Sequence, residues 1–239
     1  MKLSGIYAAI ATPFDFEGGV YKAKVQHNVE KWNKTSLAGY AVGTEWGEGQ
    51  LLRFEERVDL WRMVKEWRAQ TRALIADVTA EGVAESLALA KEAAALEYDA
   101  VMCSMPLRYP ETAPLYARAV ADGSLLPVIL RGEHVDHPNV AATLVNGIAR
   151  AGELTARAEA LWESLQAGGA GAVLGSVNAD PYAAILVWEA FRTRETEAGL
   201  DCQARVHDWA GVPELKAAMD SNGYYGGPPR LPLSAKRHL

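Results

Sequence analysis

Glu133, His134, Asp136 and His137 crowd carboxylates and imidazoles into five positions just after the apolar run Leu126–Leu130. Such groups suit a divalent cation, which could polarise an oxo group. The same residues also read as a polar loop in which His137–Pro138 makes an ordinary turn, and no metal ligand is assigned. Glu45 and Trp46 follow the apolar run Gly39–Thr44. If both are buried, the indole beside Glu45 raises its affinity for a proton, as a general base working near neutral pH requires. Glu45 equally suits an ion pair with Arg108 across a shared cavity. Arg108 and Tyr109 offer a guanidinium fork and a hydroxyl, groups that hold a carboxylate, or else form a solvated loop. Asn178 reads as a cap for the helix that follows it, and Lys216 as a structural residue.

These side chains need elements to position them. Gly5–Phe14, Gly39–Thr44, Ala73–Val78, Ala100–Pro106, Leu126–Leu130, Asn139–Val145 and Gly171–Ser176 are near-continuous apolar runs, the mark of strands covered on both faces. Helical periods separate them. Glu55–Ala69 sets Val58, Trp61, Val64 and Trp67 on a similar face, and Ala80–Leu96 carries a stripe of Val83, Leu87, Ala90 and Ala94 with Thr79 as its N-cap. Tyr182–Phe191 and Glu214–Met219 are further helices. The alternation implies α/β with a parallel sheet. With no G-x-G-x-x-G after the first run, a barrel is favoured over an open doubly wound sheet. In a barrel, Thr12, Thr44–Glu48, Asp77–Thr79, Ser104–Tyr109, Arg131–His137, Leu144–Gly147 and Ser176–Asn178 converge on one mouth.

Spacing limits this picture. Only eight residues, Arg131–Pro138, lie between two of the runs, where parallel strands usually need a crossover of about a dozen. Val145–Ala167 likewise leaves little room for a helix, a strand and another helix. The expected fold is therefore a (β/α)8 TIM barrel with extra C-terminal helices, incomplete around strands five to seven. It forms one domain over residues 1–239, with the helical extension beginning at about 196.

Composition narrows the partners. The 239 residues, 49% hydrophobic and 23% charged, suffice for one sizeable core. A net charge of -6 disfavours nucleic acid, whose phosphates call for a basic surface, yet leaves room for a local site for small anions. No apolar stretch reaches the roughly 18 residues of a membrane span, and Met1–Gly5 lacks the order of a signal peptide, so the chain reads as cytoplasmic. Cys103 and Cys202 form no C-x-x-C, and Cys103 reads as a buried free thiol.

Several stretches carry a family pattern: Ala9–Phe14 (A-x-x-T-P-F), Gly47–Glu48 with Leu52 and Glu55–Glu56–Arg57, Met105–Pro106, His137–Pro138–Asn139–Val140, Gly171–Asn178, Val212–Lys216 and Gly223–Leu233. Together they resemble the dihydrodipicolinate synthase and N-acetylneuraminate lyase family. The tail is most similar to the branch holding 4-hydroxy-2-oxoglutarate aldolase-like members. The resemblance implies a lyase or aldolase acting on pyruvate or another small 2-oxo acid, with no cofactor and a homo-oligomeric state, tetramer or dimer. It also implies a Schiff base to a lysine on the sixth strand, a proton-relaying tyrosine after the fifth, and a G-T-T-G-E turn that holds the carboxylate.

The residues depart from that pattern at several points. Anchored on His137–Val140, the lysine position falls on Leu144. Arg131–Gly132–Glu133 stands where the tyrosine is expected, and the turn reads Thr44–Glu45–Trp46–Gly47–Glu48. On this footing Glu45 and Tyr109 are the candidate catalytic residues, and Thr44, Trp46, Arg108 and Val173 the candidate substrate-binding ones. Two other readings stay open: a metal-assisted lyase or hydratase using the loop from Glu133 to His137, and a non-catalytic barrel that binds a small acid. The expected partner is a small 2-oxo acid, with no nucleic acid and no membrane.

Overall fold

The computed structural model describes residues 3–104, 110–132 and 134–233. Eight parallel strands close a barrel in chain order: β1 (Gly5–Ile10), β2 (Gly39–Val42), β3 (Ala73–Asp77), β4 (Ala100–Ser104), β5 (Val128–Arg131), β6 (Val140–Val145), β7 (Glu153–Thr155) and β8 (Gly171–Leu174). Closure is made by β1 against β8, with Tyr7 level with Val173.

The near-continuous apolar runs are explained by two packed layers. Tyr7, Ala9, Ala41, Ile75, Met102, Ile129, Leu144, Leu154 and Val173 fill the barrel, while the alternate residues Ile6, Ala8, Tyr40, Val42, Leu74, Val101 and Leu130 face the helices. Most strand residues therefore bury apolar surface whichever way they point.

Helices α1 (Lys22–Trp32), α2 (Phe54–Trp67), α3 (Val83–Ala95) and α4 (Ala113–Gly123) follow the first four strands, α5 (Leu161–Gln166) follows β7, and α6 (Pro181–Thr193) follows β8. Beyond them lie two C-terminal helices, α7 (Thr196–Gln203) and α8 (Val212–Ser221). No described helix is long and apolar enough to cross a membrane.

Among the described residues, two crossovers have no helix. Residues 132–139 join β5 to β6 and residues 146–152 join β6 to β7. Eight extended residues span up to about 26 Å, enough to return along a strand of this length, so the dozen-residue expectation does not hold for an unwound connector. The first connector is pinned along the outside of the barrel. Asn139 Nδ2 donates to the carbonyls of Ala121, Ser124 and Leu126 at 3.0, 3.1 and 3.2 Å, and Val135 is buried. In the second, Ser164 Oγ accepts from Ala149 N at 2.9 Å and Thr155 Oγ1 donates to Gly147 O at 2.7 Å.

Two expected caps act elsewhere. Thr79 Oγ1 accepts from Ser104 N at 2.9 Å, tying the tops of β3 and β4, and α3 starts three residues later than its stripe suggested, after Gly82. Asn178 accepts from Ala11 N and donates to Ala9 O and Gly175 O, joining β1 to the segment after β8, while Asp180 caps α6. In both cases a short polar side chain finds a strand-end backbone group closer than the helix it precedes.

Candidate active site

A short turn of 3-10 helix, Glu45–Gly47, carries two of the expected residues over the barrel mouth. Thr44 O accepts from both Gly47 N and Gly49 N at 3.0 Å, and Thr12 Oγ1 donates to Gly47 O at 2.6 Å. The Trp46 ring lies on Gly175, where any side chain would overlap the indole. Glu45 reaches across the opening to the guanidinium of Arg131 at the end of β5. Between them opens a cavity of about 390 Å³, with Leu144 and Ala156 as apolar surface and Asn146, Arg157 and Asp208 among its polar groups.

The pocket only partly matches the sequence expectation. Glu45 and Trp46 line the cavity, and Thr44 lies beside them at the end of β2 without lining it. Thr44 is buried, and its hydroxyl has no partner among the described residues. Glu45 is exposed, and among the described residues its ion-pair partner is Arg131. Val173 lies buried inside the barrel, level with Tyr7. Arg108, Tyr109 and Glu133 fall outside the described residues.

The loop after β5 does not gather its polar groups at the mouth. The His134 ring bonds Thr143 Oγ1 at 3.2 Å, and His137 Nε2 bonds Asp122 Oδ1 at 2.9 Å on α4. Both imidazoles are held along the outside of the barrel. Among the described residues no three His, Cys, Asp or Glu side chains stand close enough to share a metal ion.

A profile of the Dihydrodipicolinate synthetase family matches residues 2–132, more than half of the 239. The chain belongs to that family. N-acetylneuraminate lyase of Rhizobium meliloti strain 1021 is 31% identical over 133 residues, 54% of this chain and 44% of that protein, so the likeness spans less than half of the relative. A dihydrodipicolinate synthase from Bacillus anthracis is 22% identical with a TM-score of 0.91, covering 100% of this chain and 94% of the other. An N-acetylneuraminate lyase from Mycoplasma synoviae is 22% identical with a TM-score of 0.86, covering 99% and 93%. YagE of E. coli K12, a member of the dihydrodipicolinic acid synthase family solved with pyruvate, is 17% identical with a TM-score of 0.86, covering 98% and 94%. These structures establish the family's barrel for the whole chain. The profile match ends at Gly132, where the connector without a helix begins.

Against this family background the interior at β6 stands out. Leu144 is fully buried, points into the barrel and is level with Arg131 on one side and Leu154 on the other. The register thus brings the expected lysine position to the cavity floor, but the side chain there is apolar. Among the described residues no lysine lines the cavity. Lys216 lies elsewhere, buried on α8, with its ammonium 2.5 Å from Glu48 Oε1 and 2.8 Å from Thr12 O.

Two acids near the mouth were not singled out by sequence. Asp77 sits at the end of β3, almost wholly buried, with Oδ1 accepting from Thr79 N at 2.9 Å. Burial pushes its pKa up to about 6, against the hydrogen bonds from Thr79 and the charge of Arg131. Among the described residues no cation pairs with it at ion-pair distance. Asp208, in the connection from α7 to α8, accepts from Ala158 N with both carboxylate oxygens at 3.1 Å. Burial, then its hydrogen bond with Glu159, raises its pKa to about 6. Asp77 was legible as a mouth position. Asp208 and Arg157 gave no local signal, because the fold brings them to Glu45 from more than a hundred positions along the chain.

Proposed function

We propose that this family member takes a small 2-oxo acid, pyruvate being the simplest, into the mouth cavity and acts on it as a carbon–carbon lyase without forming an imine. The observation that carries the reading is a mouth bearing Arg131 and Arg157 over a floor of Leu144. The guanidinium groups supply charge and paired donors for a carboxylate and a keto oxygen, and leucine supplies no nucleophile. The family relatives support the substrate class, since one is a lyase and another was solved with pyruvate.

In this mechanism Arg131 donates to the keto oxygen and Asp77 moves the proton. With a hydroxy-2-oxo acid, Asp77 in its carboxylate form takes the hydroxyl proton and the adjacent carbon–carbon bond breaks. Its electron pair then passes to the keto oxygen as an enolate held by Arg131. A proton affinity near pH 6 suits a group that must accept and return a proton close to neutrality.

The same Leu144 favours a second reading, a barrel that binds the acid and does not turn it over. One set of measurements separates the two. Borohydride added with pyruvate should leave the intact mass of the protein unchanged, while pyruvate binds saturably in a calorimetric titration. A panel of hydroxy-2-oxo acids should release pyruvate in a coupled assay. Binding without release supports the second reading, and a pyruvate adduct on a lysine overturns the imine-free mechanism.

A further inference from the structure

The ion pair between Glu45 and Arg131 crosses the mouth. Glu45 belongs to the turn that follows β2, and Arg131 ends β5, three strands further round the barrel. Both side chains line the cavity, so the bond joining them spans the opening instead of running along one wall. Both positions also depart from the family pattern set out above, and the two departures meet each other.

The ends of this contact are fixed and its middle is not. Arg131 is level with Ser104 and Leu144 in the sheet, while the turn is tied through Thr12 Oγ1 and Thr44 O. The two side chains, in contrast, each turn about several single bonds. Arg131 is 22% exposed and Glu45 46%, and among the described residues neither has another ion-pair partner. A pair this open to water gains little over its separated ions, so it exchanges partners at small cost. The bond engages one nitrogen of the guanidinium, Nη1. A 2-oxo acid brings a carboxylate and a keto oxygen side by side, a fuller match to the arginine fork.

We propose that Glu45 is a built-in competitor for the ligand: its carboxylate occupies Arg131 in the resting mouth, and the oxygens of the 2-oxo acid take its place as Glu45 swings toward solvent. The proposal rests on the small-acid reading above and adds the contact that restrains entry to that site.

Calorimetric titration of the full chain with pyruvate tests it. Glu45→Gln, which keeps the size of the side chain and removes its charge, should bind pyruvate about fivefold more tightly than the parent, or more. Glu159→Gln removes a carboxylate beside Arg157, where the pair at 3.6 Å does not cross the opening, and should change the affinity by less than about twofold. Circular dichroism melts establish that each variant is folded, and Glu45→Ala serves if the glutamine variant is not. Pyruvate bound by Glu45→Gln but not measurably by the parent also supports the proposal. Equal or weaker binding by the folded Glu45 variant, or an equal gain in Glu159→Gln, would overturn it and leave the small-acid reading standing. Absence of binding by the parent and every variant at millimolar pyruvate would overturn both.

Discussion

Leu144 and Asp77 occupy inward positions where a polar nucleophile and an apolar side chain, respectively, would raise no question; each has the other kind of residue. A lysine at 144 would be surrounded by Leu154, Ala142 and the rest of the interior, and desolvation would push its amine well below the usual range, toward the neutral form that attacks a ketone. Leu144→Lys should therefore gain a borohydride-trapped pyruvate adduct visible in the intact mass, which the parent chain lacks, at a stability cost of about 2–4 kcal/mol. Asp77 gives a second expectation with a defined sign. An unfolded aspartate titrates near the ordinary carboxylate value of 3.8, and the folded one near 6. Between those values the folded state holds the extra proton, so this group's contribution falls as pH rises from about 4 to about 6 and stays low above. The difference corresponds to about 3 kcal/mol. Asp77→Asn should remove that dependence. Urea midpoints should show the variant gaining on the parent between pH 4 and 7, while pyruvate release from hydroxy-2-oxo acids drops by about a hundredfold or more.

The turn that carries Glu45 and Trp46 is an element held from a distance. Glu48 ends it in the left-handed region, with φ 55°. Its carboxylate takes the Lys216 ammonium at 2.5 Å and the Arg230 backbone N–H at 2.6 Å. Arg230 also forks onto Glu56 at 2.8 and 2.9 Å, so α8 and the tail clamp the start of α2 and the mouth turn together. Lys216→Met leaves Glu48 buried without its cation and should cost about 3–5 kcal/mol by urea denaturation, most of it recovered in the double variant with Glu48→Gln. A smaller single-variant cost, or no recovery, would show that the pair does not brace the turn. At this scale the sequence was readable wherever periodicity persisted. Helices α2 and α6 and strands β2, β3, β4 and β8 lie within two residues of the stretches their patterns indicate. Strand β7 had no such pattern, because Leu154 is the one large apolar side chain in Glu153–Thr155. Thr79 and Asn178 misled because a cap and a strand-end tie use the same short polar side chains, and only the folded neighbours decide between them.

For the molecule as a whole, the described residues of the eight-residue gap that the sequence exposed form no helix, and the barrel closes without one. The same economy recurs after β6, and together the two connectors leave one sector with a thinner outer layer. Every residue of β2 is buried, whereas in β6 Ala141 is exposed and Val140 and Val145 are half-buried. What replaces the helices is side-chain pinning: Asn139 on the end of α4, His134 on Thr143, and Ala149 beneath Ser164. Pinned loops bury less apolar surface than packed helices, so local opening in this sector should require less free energy than global unfolding. The candidate floor Leu144 and the arginines beside it lie in this same sector, which ties the stability of the site to it. Native-state hydrogen exchange should therefore find the amides of Val140–Val145 exchanging through a lower-energy opening than those of Gly39–Val42. Asn139→Ala, which removes three bonds to the end of α4 and the segment just after it, should lower the β6 value further by about 1–3 kcal/mol while leaving β2 near its original value. Equal protection of the two strands, or an equal loss in both, would mean that the barrel opens as one unit and that the short connectors hold β6 as firmly as helices hold the other strands.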